Sequence, residues 1–124
     1  MMLETLQKLE YELLNNSGLK VYDYIPEDDE NEYVVIGDVS SKSFCSKTFD
    51  GYEVTSTIWI YSNARSTLNA KRTIQKIIDC LKDVEVQKEK YYIEFYDIAS
   101  ADCMRIDLDL IQSKVSIVYR VEED

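Results

Sequence analysis

The stretch YEVTSTIWIYS, Tyr52 to Ser62, alternates without a break: Val54, Ser56, Ile58 and Ile60 fall on one side, and Glu53, Thr55, Thr57, Trp59 and Tyr61 on the other. Side chains of a β-strand point to opposite faces in turn, so this is a strand with one largely apolar face and one amphipathic face. A strand dressed in this way is covered on one side only, as in antiparallel sheets that carry a layer of helices on a single face.

The flanking segments supply the rest of such a sheet. Leu19 to Ile25 and Tyr33 to Val39 are rich in β-branched and aromatic residues and read as strands, and Tyr91 to Ala99 and Val115 to Val121 alternate again. Two segments carry the helical period instead. From Met2 to Asn15, Leu3, Leu6, Leu9 and Leu13 recur at three- and four-residue spacing, Glu10 falls inside the stripe, and Asn15-Asn16-Ser17-Gly18 terminates it. From Ser66, a good N-cap, to Lys82, a stripe of Ala70, Ile74, Ile77, Ile78 and Leu81 stands opposite Arg65, Arg72, Lys76, Asp79 and Asp83. The order α-β-β-β-α-β-β predicts an α+β fold in which a mostly antiparallel sheet of about five strands is covered by two helices. With no repeat, low-complexity segment or Gly/Ser/Pro linker, residues 1–124 read as one domain.

Composition narrows the classes of function. A chain of 124 residues with 45% hydrophobic residues can bury one core. The N-terminus has no basic region followed by an apolar run, and no stretch approaches the roughly 20 apolar residues that span a bilayer, so the expectation is a soluble, unexported protein. Cys45, Cys80 and Cys103 are odd in number and contain no Cys-x-x-Cys pair, which suggests neither a disulfide framework nor a zinc site. Acidic residues outnumber basic ones 24 to 14, a net charge of −10, and this disfavours binding to nucleic acid or an anionic membrane. The excess is uneven: residues 1–62 carry 12 acidic and 4 basic side chains, residues 63–124 carry 12 and 10.

Catalytic signatures are missing. There is no histidine, and the scattered Gly18, Gly37 and Gly51 make no phosphate-binding loop. The acidic knot Glu27, Asp28, Asp29, Glu30 and Glu32 lacks the central glycine of a calcium loop and reads as a polar turn after Pro26. Carboxylate pairs such as Asp107 with Asp109, or Glu94 with Asp97, arise by chance in a chain this acidic, and a domain this small offers little room for a deep cleft. Cys45 has no histidine to activate it, although Lys42 and Lys47 are near, and reads as an edge-strand thiol. The expectation is a protein that is not an enzyme and takes no cofactor or metal. Ten tyrosines and Trp59 concentrate on the strands, as sheet propensity alone favours and as a sheet that docks on partners also requires.

The order VYDYIPEDDENEYVVIGDVSSKSF, CSKTFDGYEVTSTIWIYSN, LNAKRTIQKIIDCL and SKVSIVYRVEE resembles the short tail-terminator, or tail-completion, proteins of the head–tail joining modules of siphophages and prophages. The resemblance spans about residues 18–122 with the preceding helix, and rests on the Tyr-x-x-x-Pro turn, the YVVIGD strand and the long alternating strand. It implies a structural role: a ring, six-fold in that family, that caps the tail tube and joins it to the head. The implied partners are further copies of the chain, the major tail tube protein and a head completion or connector protein, with DNA passing through unbound and no membrane. The implied location is the bacterial cytoplasm during assembly and then the tail–head junction of the virion.

Candidate surfaces follow. In SSKSFCSKTFDG, Ser40 to Gly51, a long connection between strands sets out Phe44, Phe49, Lys42 and Lys47 for a partner. Glu27, Asp28, Asp29 and Glu30 complement Arg65, Arg72 and Lys76 of a neighbouring subunit. Glu53, Glu94 and Asp97 are candidates for the wall of the channel, where basic residues would hold DNA. A rival of another class is an acidic DNA mimic, but the acid lies in loops and at Glu122-Glu123-Asp124, not along one strand or helix face.

Overall fold

The computed structural model describes residues 1–27, 32–45 and 50–123. In chain order these form α1 (Met2–Asn16), β1 (Val21–Tyr22), β2 (Glu32–Cys45), β3 (Asp50–Ser62), α2 (Leu68–Leu81), β4 (Glu85–Lys88), β5 (Tyr91–Asp107) and β6 (Leu110–Glu123). The strands make one sheet in the order β1-β2-β3-β6-β5-β4, antiparallel throughout except for the parallel β1–β2 pair.

Both helices lie on one face. Val54, Ser56, Ile58 and Ile60 of β3 are buried beneath them, with Val115, Ile117, Tyr119 and Val121 of β6 beside them. From α1 come Leu6, Leu9 and Leu14, and from α2 Ala70, Thr73, Ile77 and Leu81. Helix α1 ends where the Ser17 hydroxyl donates to the Leu14 carbonyl (2.6 Å) and Gly18 turns the chain at φ +92°, a conformation that only glycine adopts without strain. The N-cap of α2 is Thr67, one residue after the expected Ser66, and it makes no side-chain capping bond; the Ser66 hydroxyl accepts the Leu68 N–H at 3.2 Å from just outside the helix.

Three expectations are corrected. The strand expected over Leu19–Ile25 shrinks to Val21–Tyr22, because the chain bends at Asp23 and Tyr24 beside the irregularity of β2 between Val35 and Asp38. The connection expected over Ser40–Gly51 is mostly strand: β2 and β3 stay paired as far as Cys45 opposite Asp50, and only 46–49 lie outside the described residues. A sixth strand, β4, adds a short rung to β5.

These lengths leave two open edges. Strand β1 covers β2 only at Val34 and Val35, after which the ladder slips at Gly37 (φ +118°), and no described strand pairs the outer edge of β2 from Asp38 to Cys45. Strand β4 covers β5 only from Tyr91 to Glu94. The rest of the β5 edge carries register slips after Phe95, Ile98 and Arg105, irregularities of the kind that discourage edge-to-edge pairing.

Candidate functional site

The face of the sheet away from the helices is the first candidate. Register sets one row across five strands: Lys42 on β2 opposite Glu53 on β3, Glu53 opposite Arg120 on β6, Arg120 opposite Glu94 on β5, and Glu94 opposite Glu85 on β4. Directly opposed residues share a face, so charge alternates along most of this row. Lys42 Nζ lies 3.6 Å from Glu53, whose side chain keeps only 21% of its exposure. The Arg120 guanidinium is held between two rings, 3.8 Å from the Tyr96 centroid and 4.9 Å from that of Phe44. Phe44 can reach Arg120 because its partner on the intervening strand is Gly51, which has no side chain to stand in the way.

Further along, the same face is tied by polar and aromatic contacts. Trp59 Nε1 donates to Asp38 at 2.8 Å, Lys114 sits over the Trp59 ring, and Tyr33 stacks on Tyr61 at 5.2 Å. Gln112 donates to the Tyr61 hydroxyl at 3.2 Å, and Tyr92 donates to Glu85, which pushes the Tyr92 phenol up to about 12. Side chains thus bridge rung to rung across this face.

The structure distributes the sequence-derived candidates as follows. Glu53 and Glu94 flank Arg120 on this face, and exposed Asp97 follows at the first slip of β5, accepting the Ile98 N–H at 2.8 Å. Phe44 is half-buried against Arg120, in contrast to the free ring that its sequence context suggests, while Lys42 is exposed. Phe49 and Lys47 lie outside the described residues, as do Asp28, Asp29 and Glu30; Glu27 is exposed. Arg65 pairs with Asp109 at 3.1 Å, tying the β5–β6 turn to the approach of α2. Arg72 and Lys76 are exposed on α2 beside Lys71, and the three form a basic face on an acidic protein.

Two features escape sequence reasoning. One is a groove of about 960 Å³ between α1 and the β1–β2 edge, lined by Leu3, Gln7, Tyr11, Tyr22, Tyr24 and Val39 among others. The other is Glu10. It is 1% exposed, and among the described residues no other Asp, Glu, Lys or Arg is buried. Its Oε1 accepts from Ser56 Oγ and its Oε2 from Tyr119 Oη, both at 2.9 Å. Burial pushes the carboxyl up to about 7 against the pull of these two donors, and burial, with Glu10 beside it, holds the Tyr119 phenol well above its ordinary range. An acid within a leucine stripe was the one available signal; its partners lie 46 and 109 positions away.

Glu10 is closed off from solvent and does not line the groove beside α1. Among the described residues no cluster of His, Cys, Asp and Glu has the arrangement of a metal site. No described helix is long and apolar enough to cross a membrane.

The architecture is shared with a protein of known structure. A protein in the virion of a native gene transfer agent particle superposes with a TM-score of 0.72 at 21% identity, over 89% of this chain and 84% of that one. The two chains therefore have the same fold. No protein-family model and no curated protein matches the sequence.

Proposed function

We propose that the chain is a structural component of a phage-like virion, and more narrowly a tail terminator: a ring-forming protein that caps the tail tube and joins it to the head through the tube protein and a head completion or connector protein. The observation that carries this is the fold shared over nearly the whole chain with a protein of a gene transfer agent virion. Unlike charges support head-to-tail association, with Lys71, Arg72 and Lys76 exposed on α2 and most of the acidic excess in residues 1–62. In this reading the face carrying Glu53 and Glu94 lines the channel, no reaction is catalysed, and assembly takes place in the bacterial cytoplasm.

Six copies, each of net charge −10, bring together a formal −60, so closure is opposed by repulsion and depends on salt and on the tube. The basic face of α2 also weighs against the DNA mimic, whose partner surface is itself basic. Incubation with purified tail tubes followed by negative-stain microscopy tests the proposal. Rings at tube ends and arrest of tube growth are the expected result; tubes that elongate unchanged with bare ends would sink it.

A further inference from the structure

We propose that Glu10, Ser56 and Tyr119 form a proton-sensitive latch, which holds α1 on the sheet while the carboxyl is protonated and loosens it when the carboxyl is ionised. The inference is independent of the virion reading and concerns how this fold is held together.

The geometry carries it. Glu10 sits within the stripe by which α1 packs on the sheet, flanked by Leu6, Leu9 and Leu14, and its contacts with Ser56 and Tyr119 bind the helix to both central strands, β3 and β6, one carboxyl oxygen donating and the other accepting when the group is protonated. Further polar ties of α1 are peripheral, among them Thr5 to Glu89 at 2.8 Å, Lys88 to Glu12 at 3.7 Å and Gln7 to Asp23 at 3.3 Å. Ties of this partly or fully exposed kind hold weakly. The Met1 N-cap makes no side-chain capping bond, and a 15-residue helix is marginal once removed from its packing surface.

Among the described residues no charged group compensates an ionised Glu10; the charged residues of β2, Glu32, Asp38 and Lys42, are engaged with Thr73, Trp59 and Glu53. Ser56 from β3 and Tyr119 from β6 face it and are neutral. The ionic groups of its own helix (Glu4, Lys8, Glu12), of β1 (Asp23 beyond its end), of α2 (Lys76, Asp79) and of the β4–β5 turn (Glu89) are exposed, and Lys88 is half-buried but turned to Glu12. Ionising the carboxyl thus leaves a charge in an apolar interior with two hydroxyl donors, an arrangement that favours release to water.

The sign follows from linkage. The seated helix holds the Glu10 proton up to about pH 7, whereas a lifted helix releases it in the ordinary carboxylate range. Stability of the seat is therefore full below that range, falls as pH rises towards 7, and is level above it. Between about pH 5 and pH 8 the opening constant for α1 should rise on the order of fiftyfold.

Amide hydrogen exchange on the full-length protein, corrected for intrinsic rates, reads this opening. The expected result is a rise across residues 6–14 in the wild type and a flat profile in Glu10→Gln, which keeps shape and hydrogen-bonding capacity without the charge. A rise of equal size in both proteins, or in neither, would overturn the proposal. Should Glu10→Gln fail to fold, the side-chain carboxyl carbon of Glu10 can be titrated by NMR in the wild type. A midpoint near 7 supports the latch, and one in the ordinary carboxylate range overturns it.

Discussion

Reversing Glu53 and Glu94 to lysine turns the cross-sheet row from Lys42, Glu53, Arg120, Glu94, Glu85, formally −1, into a row of +3. Three attractive neighbours become repulsive: Lys42 with position 53, and Arg120 with positions 53 and 94. One repulsive neighbour, Glu85 with position 94, becomes attractive. At roughly 0.5–1 kcal/mol for each net exchange of attraction for repulsion at such sites, the double variant should lose about 1–2 kcal/mol of stability. That corresponds to a fall of roughly 3–10 °C in Tm, leaving a folded protein. If the row faces a channel, its effect on DNA is larger. One new phosphate contact from each of six copies would steepen the dependence of log affinity on log salt by about 5, and retention of DNA by the purified ring should be strong at low salt and lost at high salt. Filter retention across a salt series, together with DNA ejection rates from assembled particles, measures both effects. Normal tube capping with normal ejection and no salt-dependent retention would refute the assignment of this face to the channel.

Tyr119→Phe removes one donor to Glu10 with little change of volume, and should destabilise the protein by about 1–3 kcal/mol, more at pH 8 than at pH 5 because the stranded oxygen is charged only at the higher pH; urea melts at the two pH values check this. Gly37→Ala meets no atom closer than 3.8 Å, so its cost is conformational, about 1–3 kcal/mol at φ +118°, and denaturation should register it with an unchanged m-value. Reversal of Lys71, Arg72 and Lys76 to glutamate should leave the circular dichroism spectrum intact yet abolish rings on tail tubes; rings that persist would remove α2 from the subunit contact.

The elements with a strong period were legible in the sequence and the rest were not, for identifiable reasons. Val54 to Ile60 and Ile74 to Leu81 bury one face each, so their spacing reports their surroundings directly. The segment Glu85–Lys88, Glu-Val-Gln-Lys, is too short and polar to show a period and becomes a strand only because β5 is there to pair with it. Phe44 looks exposed in a run of serines and lysines, since nothing local reveals that Gly51 opens a path to Arg120. Charge counts marked Glu53 and Glu94 as acidic wall, but their common neighbour Arg120 lies 67 and 26 positions away, and only register brings it between them. Glu10 is the extreme case, an interruption in a leucine stripe whose hydroxyl partners come from two distant strands.

The strand order also bears on how the chain finds its fold. Strands β2 with β3, and β5 with β6, are hairpins whose contacts form locally, whereas the central seam of β3 with β6 joins residues 49 to 69 positions apart. Closing so long a loop is entropically costly, and α2 occupies the intervening chain. The expected order is therefore two hairpins formed early and separately, with their union along β3 and β6, sealed by Ile58, Ile60, Val115 and Ile117, as the slower step.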